Sequence, residues 1–236
     1  MDDMILGIIP ARSGSKSIKD KNIKSLNGLP LMAWSIKAGL ACKQIDKLVV
    51  STDSKKYGQL AKFYGAEVID RPAKLAQDDT SMISVLQHAV KEVEKSGKKV
   101  SMVVLLDPTS PLRQIKDIER CLELIKVPET DSVDTVCEAE HNPYYVMGKI
   151  KKSGYFQYPL IKFHKKLHRR QDAPKVYRLN AAVLIIKRDA LMAGKVLSNK
   201  ARVIVMPEER SIHIDSKIEF KFIEFLLKEG YVKLNF

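Results

Sequence analysis

Short apolar runs alternate with helix-period segments along nearly the whole chain, and this alternation limits the fold more than any other feature. The first strand is Ile5–Ile9. Asn27-Gly28 is a strong turn signal, and Pro30 sits in the first turn of a helix to about Cys42, where its missing N–H is not needed. Lys47–Ser51 reads as the second strand. Ser54 can cap a helix through about Tyr64, closed by Gly65, and Glu67–Ile69 is a short third strand. Asp79 or Thr80 can cap the next helix, about Met82–Lys95 with Gly97 at its end. Its Ile83, Leu86, Val90 and Val93 recur at spacings of three and four. Val100–Leu106 is a nearly unbroken apolar run, which suits a central strand of a parallel sheet buried on both faces. A helix at 114–125 and a strand at Ser132–Glu138 follow. Residues 140–178 interrupt the rhythm. It resumes with strands Ala181–Ile186 and Arg202–Met206 and a last helix near Lys217–Leu227. Strands separated by helices of this length imply a three-layer α/β fold with a mostly parallel sheet. The chain reads as one domain, 1–236, carrying an inserted arm at 140–178.

The 236 residues contain no apolar stretch approaching 18 residues, so a membrane span is not expected. Asp2 and Asp3 stand where a signal peptide needs basic residues, and Cys42, Cys121 and Cys137 are dispersed and odd in number. Neither a disulfide framework nor a zinc knuckle is indicated. The expected location is cytoplasmic, with the cysteines as buried small hydrophobes. His88 reads as structural or surface, and Trp34 as a core or interface anchor. The net charge is +13, and residues 151–178 hold nine Lys/Arg against the single acid Asp172. Basic residues interleaved with Tyr155, Phe156, Tyr158, Phe163 and Tyr177 leave open a nucleic-acid-binding module. Anionic small substrates account for the charge equally well. Gly154, Pro159 and Pro174 break the segment, and the rest of the chain reads as an enzyme.

Active sites in open α/β sheets gather at the carboxyl ends of strands, and the chemistry-bearing residues fall there. After the first strand come Arg12, Ser13, Ser15, Lys16, Lys21 and Asn22. The loop is not a Walker A, and its lone Gly14 rules out Gly-x-Gly-x-x-Gly. It is either a solvated polar loop or a triphosphate cradle, in which Arg12 forks phosphate oxygens and Lys21 adds a point charge. Arg71-Pro72 follows the third strand. The loop Asp107-Pro-Thr-Ser-Pro-Leu-Arg113 is stiffened by two prolines and suits base or sugar recognition, with Asp107 an acceptor for a ligand amine or a metal-bound water. In extended backbone His213 and Asp215 point the same way. Mg²⁺ prefers oxygen, which favours Asp215 over His213 as a ligand. Asp215 or Ser216 could instead cap the last helix.

These motifs together resemble the acylneuraminate cytidylyltransferases, the CMP-sialic acid synthetases. The resemblance lies in Ile9-Pro-Ala-Arg-Ser-Gly-Ser-Lys-Ser-Ile-Lys-Asp-Lys-Asn22, Val50–Asp53, Arg71–Ala76, Pro108–Arg113, Glu140–Pro143, Arg170-Gln171, Arg178–Asn180 and Ser211–Asp215. It spans essentially the whole chain. It implies a Rossmann-like nucleotidyltransferase fold and a protruding dimerisation arm reaching the partner's sugar site. The implied reaction joins CTP to a nine-carbon 2-keto sugar acid, N-acetylneuraminic or legionaminic, with attack of the anomeric 2-hydroxyl on the α-phosphate. Pseudaminic and octulosonic acids are the alternatives within the same fold. By position, Arg12, Ser13, Ser15, Lys21, Asn22, Arg71 and Asp107 would bind the nucleotide. Arg12, Lys21 and Asp215 would carry catalysis, and Arg170, Gln171 and Asn180 would surround the sugar acid. Asp215 would hold Mg²⁺, or Mn²⁺, and a homodimer without nucleic-acid or membrane partners is implied.

The chain departs from the family pattern in three places. The common Asp-Ile-Asp metal motif reads His213-Ile-Asp215. That leaves three options: a second ion is absent, Mn²⁺ or another metal is better tolerated, or His213 acts on water or phosphate. Asp107 replaces a common Gln, exchanging a donor–acceptor for an acceptor. Ala181 replaces Gly after Asn180. The Pro143–Met147 stretch suits an apolar-tolerant pocket, compatible with a deoxygenated C9 methyl on the sugar.

Overall fold

A computed structural model describes residues 4–236. Its centre is a seven-stranded sheet. In chain order the strands are β1 (Met4–Pro10), β4 (Lys47–Thr52), β5 (Glu67–Asp70), β6 (Val100–Leu105), β7 (Ser132–Glu138), β10 (Tyr177–Lys187) and β11 (Ala201–Val205). Two small hairpins supply the remaining strands, β2 (Ser25–Leu26) with β3 (Leu29–Pro30), and β8 (Lys149–Ile150) with β9 (Phe156–Gln157). The sheet order is β11-β7-β10-β6-β1-β4-β5. β6 lies in the middle, as its apolar run predicts, but only its β1 side is parallel. β10 runs antiparallel to both β6 and β7. The sheet is therefore mixed around one reversed strand.

The two-residue period of each strand builds the layers. Leu6, Ile8, Val49, Val103, Leu105, Leu184 and Ile186 face α3 (Met82–Glu94) and α5 (Arg188–Met192). Their neighbours Ile9, Val50, Val104, Val183 and Ile185 face α1 (Leu31–Ala41), α2 (Lys55–Phe63) and α4 (Ile115–Leu124). Burial on both faces explains the nearly continuous apolar runs. The last helix, α6 (Lys217–Lys228), packs Phe220, Ile223 and Leu226 with Leu26, Leu31 and Trp34. Trp34 donates its indole N–H to the Leu26 carbonyl at 3.1 Å. All three cysteines are free and buried, and burial pushes the Cys121 thiol up to about 12. His88 is half-buried on α3.

Local chemistry fixes the connections. Asn27 and Gly28 take φ 46° and 84°, the left-handed pair that a type I′ hairpin turn requires. Ser54 caps α2 as its sequence indicates. The cap of α3 is Ser81, which accepts from the Ser84 N–H at 3.2 Å, rather than Asp79 or Thr80. Gly39 on α1 has no room for a Cβ, which would lie 2.7 Å from Leu48 Cδ1, so the helix rests directly on the sheet.

The excursion between β7 and β10 spans residues 139–176. Its base is closed by Ala139 N–H on the Val176 carbonyl (2.9 Å) and by Asn142 on the Pro174 carbonyl (2.8 Å). β8 and β9 pair only with each other. The returning strand starts at Tyr177, earlier than the expected Ala181. Ala181 interrupts its ladder at φ 53°, a conformation that a family glycine would adopt without strain.

Candidate active site

The loop after β1 is held at its start by the end of β4. Ser13 donates its N–H and hydroxyl to the two carboxylate oxygens of Asp53, at 2.7 and 2.6 Å. Burial works to raise the Asp53 carboxyl, and the Ser13 hydrogen bonds outweigh it, leaving the group below the ordinary carboxylate range. Beneath the loop Arg71 is buried and donates to Ser51 Oγ (3.1 Å) and to the Ser51 carbonyl (2.7 Å). Burial pulls its guanidinium down to about 10, so it stays charged at neutral pH and places positive potential below the loop. Asn22 is buried and donates to the Arg12 carbonyl at 3.0 Å, closing the loop on itself. Gly14 takes φ 73° at the turn with no atom within 4 Å of its missing Cβ.

Three cations of the loop have internal counter-ions. Arg12 pairs with Asp78 at 2.7 Å, and Lys16 contacts the other oxygen of the same carboxylate. These two hold the Asp78 carboxyl below its ordinary range. Lys21 extends across to the far end of the chain. It donates to the Ile214 carbonyl at 2.8 Å and lies 3.6 Å from Asp215 Oδ1. Ser15 sits half-buried in the same loop.

The 107–113 loop is built around Arg113, which is fully buried. Its guanidinium donates to the Ala182 carbonyl (2.6 Å), to Ser35 Oγ (2.6 Å) and to the Asp107 carbonyl. One oxygen of the Asp107 carboxylate is committed within its own loop. Oδ1 accepts from the Thr109 N–H at 2.9 Å and from the Thr109 hydroxyl at 2.6 Å, a turn closed by its own carboxylate.

Asn180 also differs from expectation. It is buried, its Oδ1 accepts from Thr135 Oγ1 (2.6 Å) and Ala182 N–H (3.2 Å), and its Nδ2 donates to Ser211 Oγ (2.9 Å). The amide is consumed in tying β7, β10 and the 211 segment together, which leaves nothing to offer a sugar. Arg170 and Gln171 lie on a short turn of the arm. They line a cavity of about 350 Å³ with Glu138, Asn142 and Lys175, and Arg170 donates to the Glu140 carbonyl at 2.6 Å.

The 211–215 segment is fixed from several sides. Arg178 donates to the Ser211 carbonyl (3.1 Å), and Ile214 N–H donates to the Thr109 carbonyl (2.8 Å). Just upstream, Arg210 forms a buried ion pair with Asp117 of α4. His213 and Asp215 do share one side, with His213 Nε2 3.3 Å from Asp215 Oδ1. Ser216 caps α6, and Glu219 completes the capping box by accepting from the N–H groups of Asp215 (2.7 Å) and Ser216 (2.6 Å). The Asp215 carboxylate is thereby free of capping and 72% exposed.

Sequence reading placed Asp53 and Arg113 in motifs without giving them a role. Asp117 and Arg210 carried no sequence signal, since a lone acid and a lone arginine 93 residues apart look like surface charges.

An open α/β sheet with a cationic loop at the carboxyl end of β1 is a nucleotide-binding architecture. A family profile described as cytidylyltransferase matches residues 6–189, and the chain belongs to that family. Two relatives align along nearly the full length. The chain is 35% identical over 235 residues to the post-translational flagellin modification protein B of Campylobacter coli, covering 95% of each. It is 35% identical over 226 residues to the CMP-N,N'-diacetyllegionaminic acid synthase of Campylobacter jejuni, covering 94% of each. Among solved structures, CMP:2-keto-3-deoxy-manno-octonic acid synthetase complexed with CTP shares the fold. The TM-score is 0.72 at 16% identity, over 97% of this chain and 100% of that one. The protein is thus a member of a CTP-dependent nucleotidyltransferase family. No described helix is long and apolar enough to cross a membrane.

Proposed function

We propose that the protein transfers CMP from CTP to a nine-carbon 2-keto sugar acid, releasing pyrophosphate. A legionaminic-type acid is the first choice of acceptor and N-acetylneuraminic acid the second. The observation that carries this reading is the bridge from Lys21 to Ile214 and Asp215, which joins the cationic β1 loop to an exposed carboxylate. The near-full-length similarity to a legionaminic acid synthase supports the choice of sugar.

In this reading the anomeric 2-hydroxyl oxygen bonds to the α-phosphorus. The α–β anhydride bond breaks, pyrophosphate departs with the electron pair, and the hydroxyl proton passes to water. Arg12 exchanges Asp78 for phosphate oxygens, and Arg12 and Lys21 neutralise charge on the departing pyrophosphate. Arg71 and Asn22 hold the shape and potential of the loop. Ser13 is committed to Asp53, while Ser15 offers its hydroxyl to a phosphate. Arg170 and Gln171 supply the sugar-acid contacts, with the guanidinium forking the sugar carboxylate.

The fold family implies a divalent cation, Mg²⁺ or Mn²⁺. Among the described residues no three His, Cys, Asp or Glu side chains gather in one place. One exposed carboxylate facing the cationic loop fits an ion that takes its other ligands from phosphate and water. Asp215 would hold it, and it would supply Lewis-acid charge to the triphosphate. The arm, with Ile150, Tyr155 and Phe156 more than 60% exposed, serves a homodimer in the cytoplasm, and neither nucleic acid nor membrane is a partner.

The test is pyrophosphate release across four nucleotides and a panel of legionaminic, N-acetylneuraminic, pseudaminic and octulosonic acids. Release with CTP and legionaminic acid above all other pairs is expected. Release independent of the sugar acid, or preference for another nucleotide, overturns the reading.

A further inference from the structure

We propose that Tyr57 of α2 is a positioning residue for the transfer, fixing the backbone of Lys21 through a hydrogen bond to the Asp20 carboxylate. The proposal rests on the reading that Lys21 neutralises charge on the departing pyrophosphate.

Asp20 stands immediately before Lys21 with φ 52° and ψ 37°, in the left-handed region. Repulsion between Cβ and the backbone makes this conformation uncommon outside glycine, and aspartate and asparagine are among the few residues that tolerate it. The Asp20 side chain does not cap the turn Lys21–Ile23 that follows. It is turned toward α2 instead, where Oδ1 accepts from the Tyr57 hydroxyl at 3.0 Å. Tyr57 is 1% exposed and lies in the core with Val50 and Ala61. Close packing holds its ring, so the hydroxyl is presented from a fixed place. Burial, and then the Asp20 charge, keep the phenol well above its ordinary range, so it is a donor at neutral pH.

This bond is the second of two. The Ser13 end of the cationic loop is tied to Asp53, and the Asp20 end is tied to Tyr57, four residues further along. Both ends are therefore fastened to the one corner where β4 passes into α2. Ser54 closes that corner by accepting from the Tyr57 N–H at 3.4 Å. Lys21 is then held at two points, its backbone by Asp20 and its ammonium by the Ile214 carbonyl at 2.8 Å. A lysine stem is flexible, so the place of its charge depends on both anchors. Tyr57 touches no phosphate in this arrangement. It acts through Asp20 on Lys21.

Pyrophosphate release from CTP with legionaminic or N-acetylneuraminic acid, measured on full-length variants, tests this. Tyr57→Phe keeps the ring and removes only the hydroxyl. Its kcat and kcat/KM should fall together, about tenfold, with the thermal melt of the fold retained. In a Lys21→Ala background the same substitution should cost less than about twofold, because the group it positions is gone. Asp20→Asn keeps an acceptor and a tolerance of the left-handed backbone, so it should lose less than Asp20→Ala, which keeps neither. Equal losses from Tyr57→Phe with and without Lys21, an unaltered kcat in the single variant, or equal activity of the two Asp20 variants overturns the positioning role alone. Absence of sugar-acid-dependent release by the natural protein overturns the functional reading and the role of Tyr57 with it.

Discussion

Lys21 Nζ donates to the carbonyl of Ile214 at 2.8 Å across 193 residues of sequence, and only 12% of its side chain is exposed. The loop that opens the chain and the segment that precedes its last helix therefore meet through one ammonium group. Lys21→Ala removes both that tether and a charge facing Asp215. Steady-state kinetics should show kcat/KM for CTP reduced about 100- to 1,000-fold, with the far-ultraviolet circular dichroism of the fold retained.

Asp78 occupies the Arg12 and Lys16 charges that a triphosphate would need. Asp78→Asn weakens this internal competitor. KM for CTP should fall about two- to threefold with kcat nearly constant, the size expected for a solvent-screened pair. A raised KM would show that the carboxylate orients Arg12 rather than competing for it.

Asp117 is fully buried against Arg210 and also accepts the Gln114 N–H at 2.8 Å, at the start of α4. Asp117→Ala leaves a buried guanidinium unpaired and frees the turn before Ser211. Urea denaturation should show a loss of about 3 to 5 kcal/mol. A loss below 1 kcal/mol would place little weight on the ion pair.

Asp134 sits in the sheet beside Leu184 and Val203, and burial pushes its carboxyl up to about 6. A folded-state pKa above the unfolded one stabilises the fold while the group is protonated. That contribution is full below the ordinary carboxylate range and lost as pH rises through 6. Asp134→Asn should therefore be more stable than the natural protein at pH 8, by up to about 3 kcal/mol, and equal to it near pH 4. Thermal melts at the two pH values check the sign.

The layers, and most strands to within a residue or two, were legible because burial on both faces writes apolar runs and helix periods directly into the chain. The reversal of β10 was not, since an apolar run such as Val183–Ile186 carries no direction. The cationic loop was legible as a group of residue types. The counter-ion Asp78 was hidden because its partners are in another loop. Asp107 and Asn180 were read as ligand contacts because polar residues at strand ends invite that reading. Their hydrogen bonds to Thr109, Thr135 and Ser211 depend on neighbours that the local sequence does not name.

The arm leaves from β7 and returns through β10, two antiparallel neighbours whose junction is already stitched by Ala139 to Val176 and Asn142 to Pro174. Closing a loop over such a fixed gap costs free energy that grows only with the logarithm of its length. Segments of quite different size and chemistry can be spliced at this junction without disturbing the register of the sheet. The junction thus works as a socket whose contents can change in length while the loops at the other strand ends keep their places.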